Sequence, residues 1–193
     1  MKTNLPKPLL AVVLLCAFTV HAQVHLPIPN AFRSDVQKVV ADFPSQFAAL
    51  RGDVLITNPQ TVEYASLLQI DKSQECIITK YSSNGKPIYS LQAVMMHTES
   101  FEEAQKRYKW IFAQLKGLNV KYVVDQYTLH GTYEAPAEER KFTTSTLALA
   151  DPPAELQKLR IEVAMQFEFP EWKVALTVFE KEKDDEAEAD SDD

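Results

Sequence analysis

The feature that most constrains the fold is the regular alternation of side chains over residues 159–169. One set is apolar: Leu159, Ile161, Val163, Met165, Phe167 and Phe169. The residues between them are mainly polar: Arg160, Glu162, Ala164, Gln166 and Glu168. Successive side chains of a β-strand point to opposite faces, so this pattern gives one apolar and one polar face. It predicts a strand in an antiparallel sheet, with one face against a core and the other facing water.

Similar strand-like segments occur along most of the chain, and turn residues separate them. They cover residues 53–57, 61–70, 75–82, 87–97, 119–133, 140–149 and 172–180. Between two of them lies Asn84-Gly85, a pair that tolerates the positive φ angles of a tight hairpin. Strands joined by short turns must pair antiparallel, because parallel pairing needs a long crossover. We therefore expect a twisted antiparallel sheet of about seven strands.

Residues 99–116 carry the clearest helical pattern. Ser100 and Glu103 have the spacing of a capping box, and Gly117 provides a stop signal. Apolar residues at helical spacing then form one stripe: Phe101, Ala104, Tyr108, Ile111, Phe112 and Leu115. This helix is predicted to pack its stripe on one face of the sheet.

A second, shorter helix is expected near the N-terminus. Ser34 and Gln37 have capping-box spacing, and Pro44 predicts either two short helices, at 34–42 and 44–50, or one kinked helix. Gly52 is expected to end this region in the left-handed conformation. The fold class that follows is a single α+β domain over residues 34–181, with the sheet packed on helix 99–116 and on the short N-terminal helix.

Residues 1–22 have the three parts of a cleavable secretory signal. Lys2 and Lys7 come first, an apolar run over 9–20 follows, and Val20-His21-Ala22 supplies a small-x-small end. We therefore expect export to the periplasm or the cell exterior, and an extended leader over 23–33. The apolar run is shorter than the roughly 20 residues of a membrane span, so the mature chain is expected to have no transmembrane segment.

The charge distribution separates a tail from the domain. Residues 182–193 contain eight acids and one lysine, which gives that segment a net charge of −7. With so few apolar groups, the tail is expected to be disordered. Residues 23–181 carry only −2, without a basic cluster, which argues against nucleic acid as a partner. Cys76 is the single cysteine after residue 22, and its apolar neighbours predict that it is buried.

No motif in the chain predicts catalysis. There is no Gly-x-Ser-x-Gly sequence and no phosphate-binding glycine loop. His25, His97 and His130 have no second ligand at a recognised metal spacing. We therefore predict no catalytic residue, no metal site and no cofactor from the sequence.

Two functional hypotheses remain. The first is a non-catalytic exported binding module that recognises a protein, peptide, sugar or lipid on a sheet face or along a sheet edge. Its candidate surface is Tyr122, Tyr127 and His130; because the two tyrosines are an odd number apart, they are expected on opposite faces of one strand. The alternative is a small exported hydrolase that combines His97 or His130 with an acid such as Asp125.

Overall fold

A computed structural model describes residues 30–82 and 86–181, which form one α+β domain. Its elements in chain order are α1 (Ala31–Asp42), β1 (Arg51–Thr57), β2 (Thr61–Ser66), β3 (Glu75–Tyr81), β4 (Ile88–Thr98), α2 (Phe101–Leu115), β5 (Asn119–Tyr122), β6 (Asp125–Gly131), β7 (Phe142–Leu149), β8 (Leu159–Glu168) and β9 (Glu171–Glu180). The signal-like segment, most of the leader, the Asn84-Gly85 turn and the acidic tail lie outside the described residues.

The nine strands form one antiparallel sheet in the order β1-β2-β3-β4-β9-β8-β7-β6-β5. A helix followed by a meander therefore occurs twice, and the two meanders meet where β4 pairs with β9. The α+β prediction is confirmed, and β3 and β4 pair as the arms of the expected hairpin, with Tyr81 opposite Ile88. Among the described residues, no helix is long and apolar enough to cross a membrane.

The sheet has nine strands instead of about seven, partly because residues 119–133 do not form one strand. They fold into the hairpin of β5 and β6, in which Tyr122 lies opposite Asp125. The turn is Val123-Val124, and Val123 has a φ of 55°. β-Branched residues rarely adopt that conformation, so the sequence carries no turn signal at this point.

The alternating segment is confirmed as β8. Ile161 and Val163 are fully buried and lie opposite Val178 and Leu176 of β9, so neighbouring strands contribute to the same apolar layer. Phe169 departs from the prediction: it lies beyond the end of β8, in the turn to β9, and is 89% exposed.

Helix α2 covers that apolar layer and packs on β4, β8 and β9. Its stripe is buried as predicted, with Ile111 and Leu115 fully inaccessible. The Ser100 side chain caps the helix by accepting from the Glu103 amide at 3.3 Å. The reciprocal half of the capping box is indirect: the Ser100 amide donates to Thr98 Oγ1, which donates to Glu103 Oε2.

Helix α1 begins three residues before the predicted start. Its N-cap is Asn30, whose side chain accepts from the Arg33 amide at 3.4 Å. Residues 31–33 are therefore helical and do not belong to an extended leader. The earlier start is explained by Phe32, which becomes fully buried with its ring edge-on to Trp110 at 5.1 Å.

Helix α1 ends just before Pro44, as expected, but neither a second helix over 44–50 nor one kinked helix forms. A short 3-10 helix, Phe43–Ser45, follows α1, and turns cover residues 46–50. The left-handed residues that end this region are Gln46 and Phe47, with φ angles of 57° and 55°, and Gly52 lies within β1 instead. The Phe47 side chain is fully buried, and its apolar contacts oppose the cost of this backbone conformation.

A buried polar network joins α2 to the sheet. The Tyr108 hydroxyl lies 2.6 Å from Ser145 Oγ, which also accepts from the Glu134 amide at 2.9 Å. Burial raises the pKa of Tyr108 to about 12, and the hydrogen bond to Ser145 only partly opposes this effect. The network thus satisfies polar groups inside the core. Cys76 is also buried, as predicted.

The raised pKa of Tyr108 predicts a loss of stability in strong base. An unfolded tyrosine ionises near pH 10, whereas Tyr108 stays protonated to about pH 12, so its contribution is complete below pH 10 and decreases from there toward pH 12. Urea unfolding of the wild type should give a steeper fall in the free energy of unfolding over this interval than the Tyr108→Phe variant. Equal slopes for the two proteins would contradict a buried, protonated Tyr108.

Candidate functional site

The candidate site is the free edge of the sheet formed by β1. Within the part of the chain that the structure describes, this strand ends the sheet and pairs only with β2. At its centre are three consecutive apolar residues, Val54, Leu55 and Ile56, which are 55%, 52% and 50% exposed. An edge strand with exposed apolar side chains is a template for pairing with another chain.

The irregular register of β1 explains why all three side chains are accessible. Val54 lies opposite Tyr64 and Ile56 opposite Glu63, so the register shifts by one residue at Leu55. Such a bulge places two residues opposite one and disturbs the alternation of faces. The three apolar side chains therefore cannot all point to the buried face of the sheet, and about half of each side chain remains accessible to solvent.

The backbone of β1 also presents unpaired groups. The Asn58 amide donates to the Thr61 carbonyl at 2.8 Å, and the same register places Thr57 opposite Val62. Since the amides of an antiparallel strand alternate in direction, the Thr57 amide and carbonyl point away from β2. Among the described residues neither group has a hydrogen-bond partner in another element, so both are available to an additional strand.

The start of β1 is held firmly in place. Asp42 Oδ2 accepts from the Ala49 and Leu50 amides at 2.9 and 3.2 Å, which fixes the approach to the strand. The Arg51 guanidinium lies 4.7 Å from the Tyr89 ring centroid and donates to the Tyr89 hydroxyl at 3.1 Å. A fixed edge loses little conformational entropy when a partner strand binds.

The opposite edge of the sheet is shorter, carries an exposed charge and is partly covered. β5 has only four residues and carries Lys121, which is exposed. The Gln37 side chain of α1 donates to the Asn119 carbonyl at 2.9 Å, so this edge is partly capped by the protein itself. Short, charged and covered edges resist pairing, which leaves β1 as the edge suited to a partner.

The surface predicted from Tyr122, Tyr127 and His130 is not assembled in the structure. Val120 lies opposite Tyr127 in the β5–β6 hairpin, so both tyrosines are on the helix-covered face, where they pack at the margin of the core. The prediction that they face opposite sides is wrong, because a turn separates them. His130 is exposed and lies opposite Ala148, on the other face.

The face of the sheet opposite to the helices, here called the open face, carries a row of polar residues at its centre. Gln92, Thr177, Glu162 and Thr146 are successive register partners across β4, β9, β8 and β7. Partial burial raises the pKa of Glu162. The sequence offered no reason to single out this acid, because its burial depends on neighbouring strands.

The groups considered for hydrolysis are dispersed. His97 Nδ1 lies 3.7 Å from Glu171 Oε2, but both side chains are well exposed, at 38% and 44%. Asp125 shares the face of Tyr127 and is therefore on the side of β6 opposite to His130. Nothing in this placement joins Asp125 to either histidine.

The chain has no match that could supply a function by similarity. Within residues 30–82 and 86–181, no group of three or more His, Cys, Asp or Glu residues is arranged to hold a metal ion. No family model, curated protein or solved structure matches the sequence. The β1 edge is therefore the feature of this molecule that best indicates a function.

Proposed function

We propose that the protein is an exported, non-catalytic binding module that captures an extended segment of a partner protein by adding it as a strand beside β1. The observation that carries this proposal is the exposure of Val54, Leu55 and Ile56 on the edge strand β1. In strand addition, backbone hydrogen bonds supply affinity and alternate side chains supply specificity. The fitting partner is an uncharged, β-branched or aromatic segment.

Selection from a random peptide library displayed on phage tests this proposal. We expect the bound peptides to share an alternating apolar pattern, and the Leu55→Lys variant to bind them at least about tenfold more weakly, because an edge lysine opposes pairing. Val124→Lys is the matched control, since Val124 is 80% exposed but lies in the β5–β6 turn. Unchanged affinity of Leu55→Lys, or equal losses in both variants, would contradict the proposal. Sedimentation of each protein separates peptide binding from pairing between two copies.

The exported location rests on the N-terminal sequence. Mass spectrometry of the protein isolated from its own cells should give a chain that begins at Gln23, because a signal peptidase would cut after Val20-His21-Ala22. A protein that retains residues 1–22 in the cytoplasm would overturn this part of the proposal and leave the β1 edge unaffected.

A further inference from the structure

A second surface, which shares no residue with the β1 edge, has the properties of a ligand site. It is an open cleft of about 530 Å³ beside α2 and the end of β4. Its lining residues are Lys72, Met96, Glu103, Lys106, Arg107 and Trp110. The volume is within the range of small-molecule sites, about 300–1,000 Å³.

The indole of Trp110 is the organising group of this cleft. Its edge-on contact with Phe32 fixes the ring, while Lys72 Nζ lies 4.6 Å from the ring centroid. The Arg107 guanidinium carbon lies 5.7 Å from the same centroid. Two cations thus lie over one aromatic ring, an arrangement that is attractive for each cation separately but brings like charges together.

The backbone places Lys72 at this position. Lys72 has a φ of 66°, a left-handed conformation that lysine rarely adopts. The turn is closed by the Ser73 amide, which donates to the Ile70 carbonyl at 2.9 Å. It is tied to α1 through the Asp71 amide, which donates to Asp35 Oδ2 at 3.1 Å. The hydrogen-bonded turn therefore places the Lys72 backbone beside the cleft, within reach of Trp110 for the side chain.

The cleft has an excess of positive charge. No carboxylate oxygen of the described residues lies within 4.0 Å of a charged nitrogen of Lys72, Lys106 or Arg107. Glu103, the acid in the lining, already accepts from Thr98 Oγ1 at 2.9 Å. These three cations lie close together, although residues 23–181 as a whole have a net charge of −2. A bound anion would relieve their mutual repulsion.

We propose that this cleft binds an anionic amphiphile, a molecule with a phosphate head and an acyl or alkyl chain. Lys72, Lys106 and Arg107 would contact the head, with Arg107 suited to a bidentate contact with phosphate. Met96 and the face of Trp110 would contact the chain, since methionine adapts to flexible apolar groups. The site requires both sets of residues, because the cations contact the head and the apolar residues contact the chain of the same ligand.

Isothermal titration with dodecyl phosphate, kept below its micelle concentration, tests this inference on the protein as its own cells produce it. Dodecyl maltoside has the chain without the charge, and inorganic phosphate has the charge without the chain. We expect dodecyl phosphate to bind at least about tenfold more tightly than either, because each of them loses one half of the contacts.

A pair of double variants localises the binding. Lys72→Gln with Arg107→Gln should weaken dodecyl phosphate at least about tenfold. Lys109→Gln with Lys116→Gln removes the same charge from exposed positions outside the cleft and should leave the affinity within about twofold. Equal losses in both double variants would overturn the site in favour of general charge attraction. Equal binding of dodecyl maltoside or of inorganic phosphate would also overturn it.

Discussion

Replacing Ile111 with aspartate is expected to abolish folding. Ile111 is fully buried on the face of α2 that packs on β4, β8 and β9. The variant loses the apolar contacts and buries a carboxylate that has no partner, and each effect costs several kcal/mol. Together they approach the whole stability of a typical domain, about 5–15 kcal/mol. Circular dichroism of the purified variant should show no cooperative thermal transition.

Ala113→Asp is the matched control for this prediction. Ala113 is on the same helix but exposed, so the same new charge meets water there. This control should melt within a few degrees of the wild type, because exposed substitutions usually change stability by about 0.5 kcal/mol or less. If Ile111→Asp melted like Ala113→Asp, the assignment of the buried face of α2 would be wrong.

Replacing Gly131 with alanine is expected to produce the second large effect. Gly131 lies opposite Leu147 in the β6–β7 pair. A Cβ added there would lie 2.5 Å from the Thr146 carbonyl oxygen and 2.8 Å from Leu147 Cγ. One of these contacts is with backbone, so the strands must separate. Overpacking of this kind costs about 1–3 kcal/mol or more.

Gly117→Ala provides a comparison with a different physical cause. Gly117 has a φ of 73°, and a Cβ there meets no atom within 4 Å, so that variant suffers only backbone strain of about 1 kcal/mol. Urea unfolding should place the midpoint of Gly131→Ala below that of Gly117→Ala. The reverse order would show that β6 and β7 pair less closely than the structure indicates.

Local patterns predicted most of the architecture. The alternating side chains of 159–169 predicted β8, and the capped apolar stripe predicted α2. In both segments the local pattern is consistent with the packing in the sheet, so short-range signals were sufficient. The hairpin at Val123-Val124 could not be predicted, because neither residue favours a turn. That turn places Tyr122 and Tyr127 on the same face of the sheet, so the surface proposed from the sequence does not form.

The sequence predicted only part of the β1 edge. Residues 53–57 were predicted as a strand, but a short apolar run such as Val54-Leu55-Ile56 is usually read as a buried strand. Whether a strand ends a sheet depends on the strand order, which the pattern of one segment does not encode. The Trp110 cleft likewise depends on the approach of Lys72 from a distant turn.

Hydrogen–deuterium exchange on the complex with a library-selected peptide would show which strand the partner pairs with. We expect slower exchange of the outward-pointing amides of β1, including Thr57, when the peptide is bound, with no change in β5. Leu55→Lys should show little of this protection. Protection confined to the open face or to the Trp110 cleft, with β1 unchanged, would contradict the assignment of β1 as the partner-binding edge.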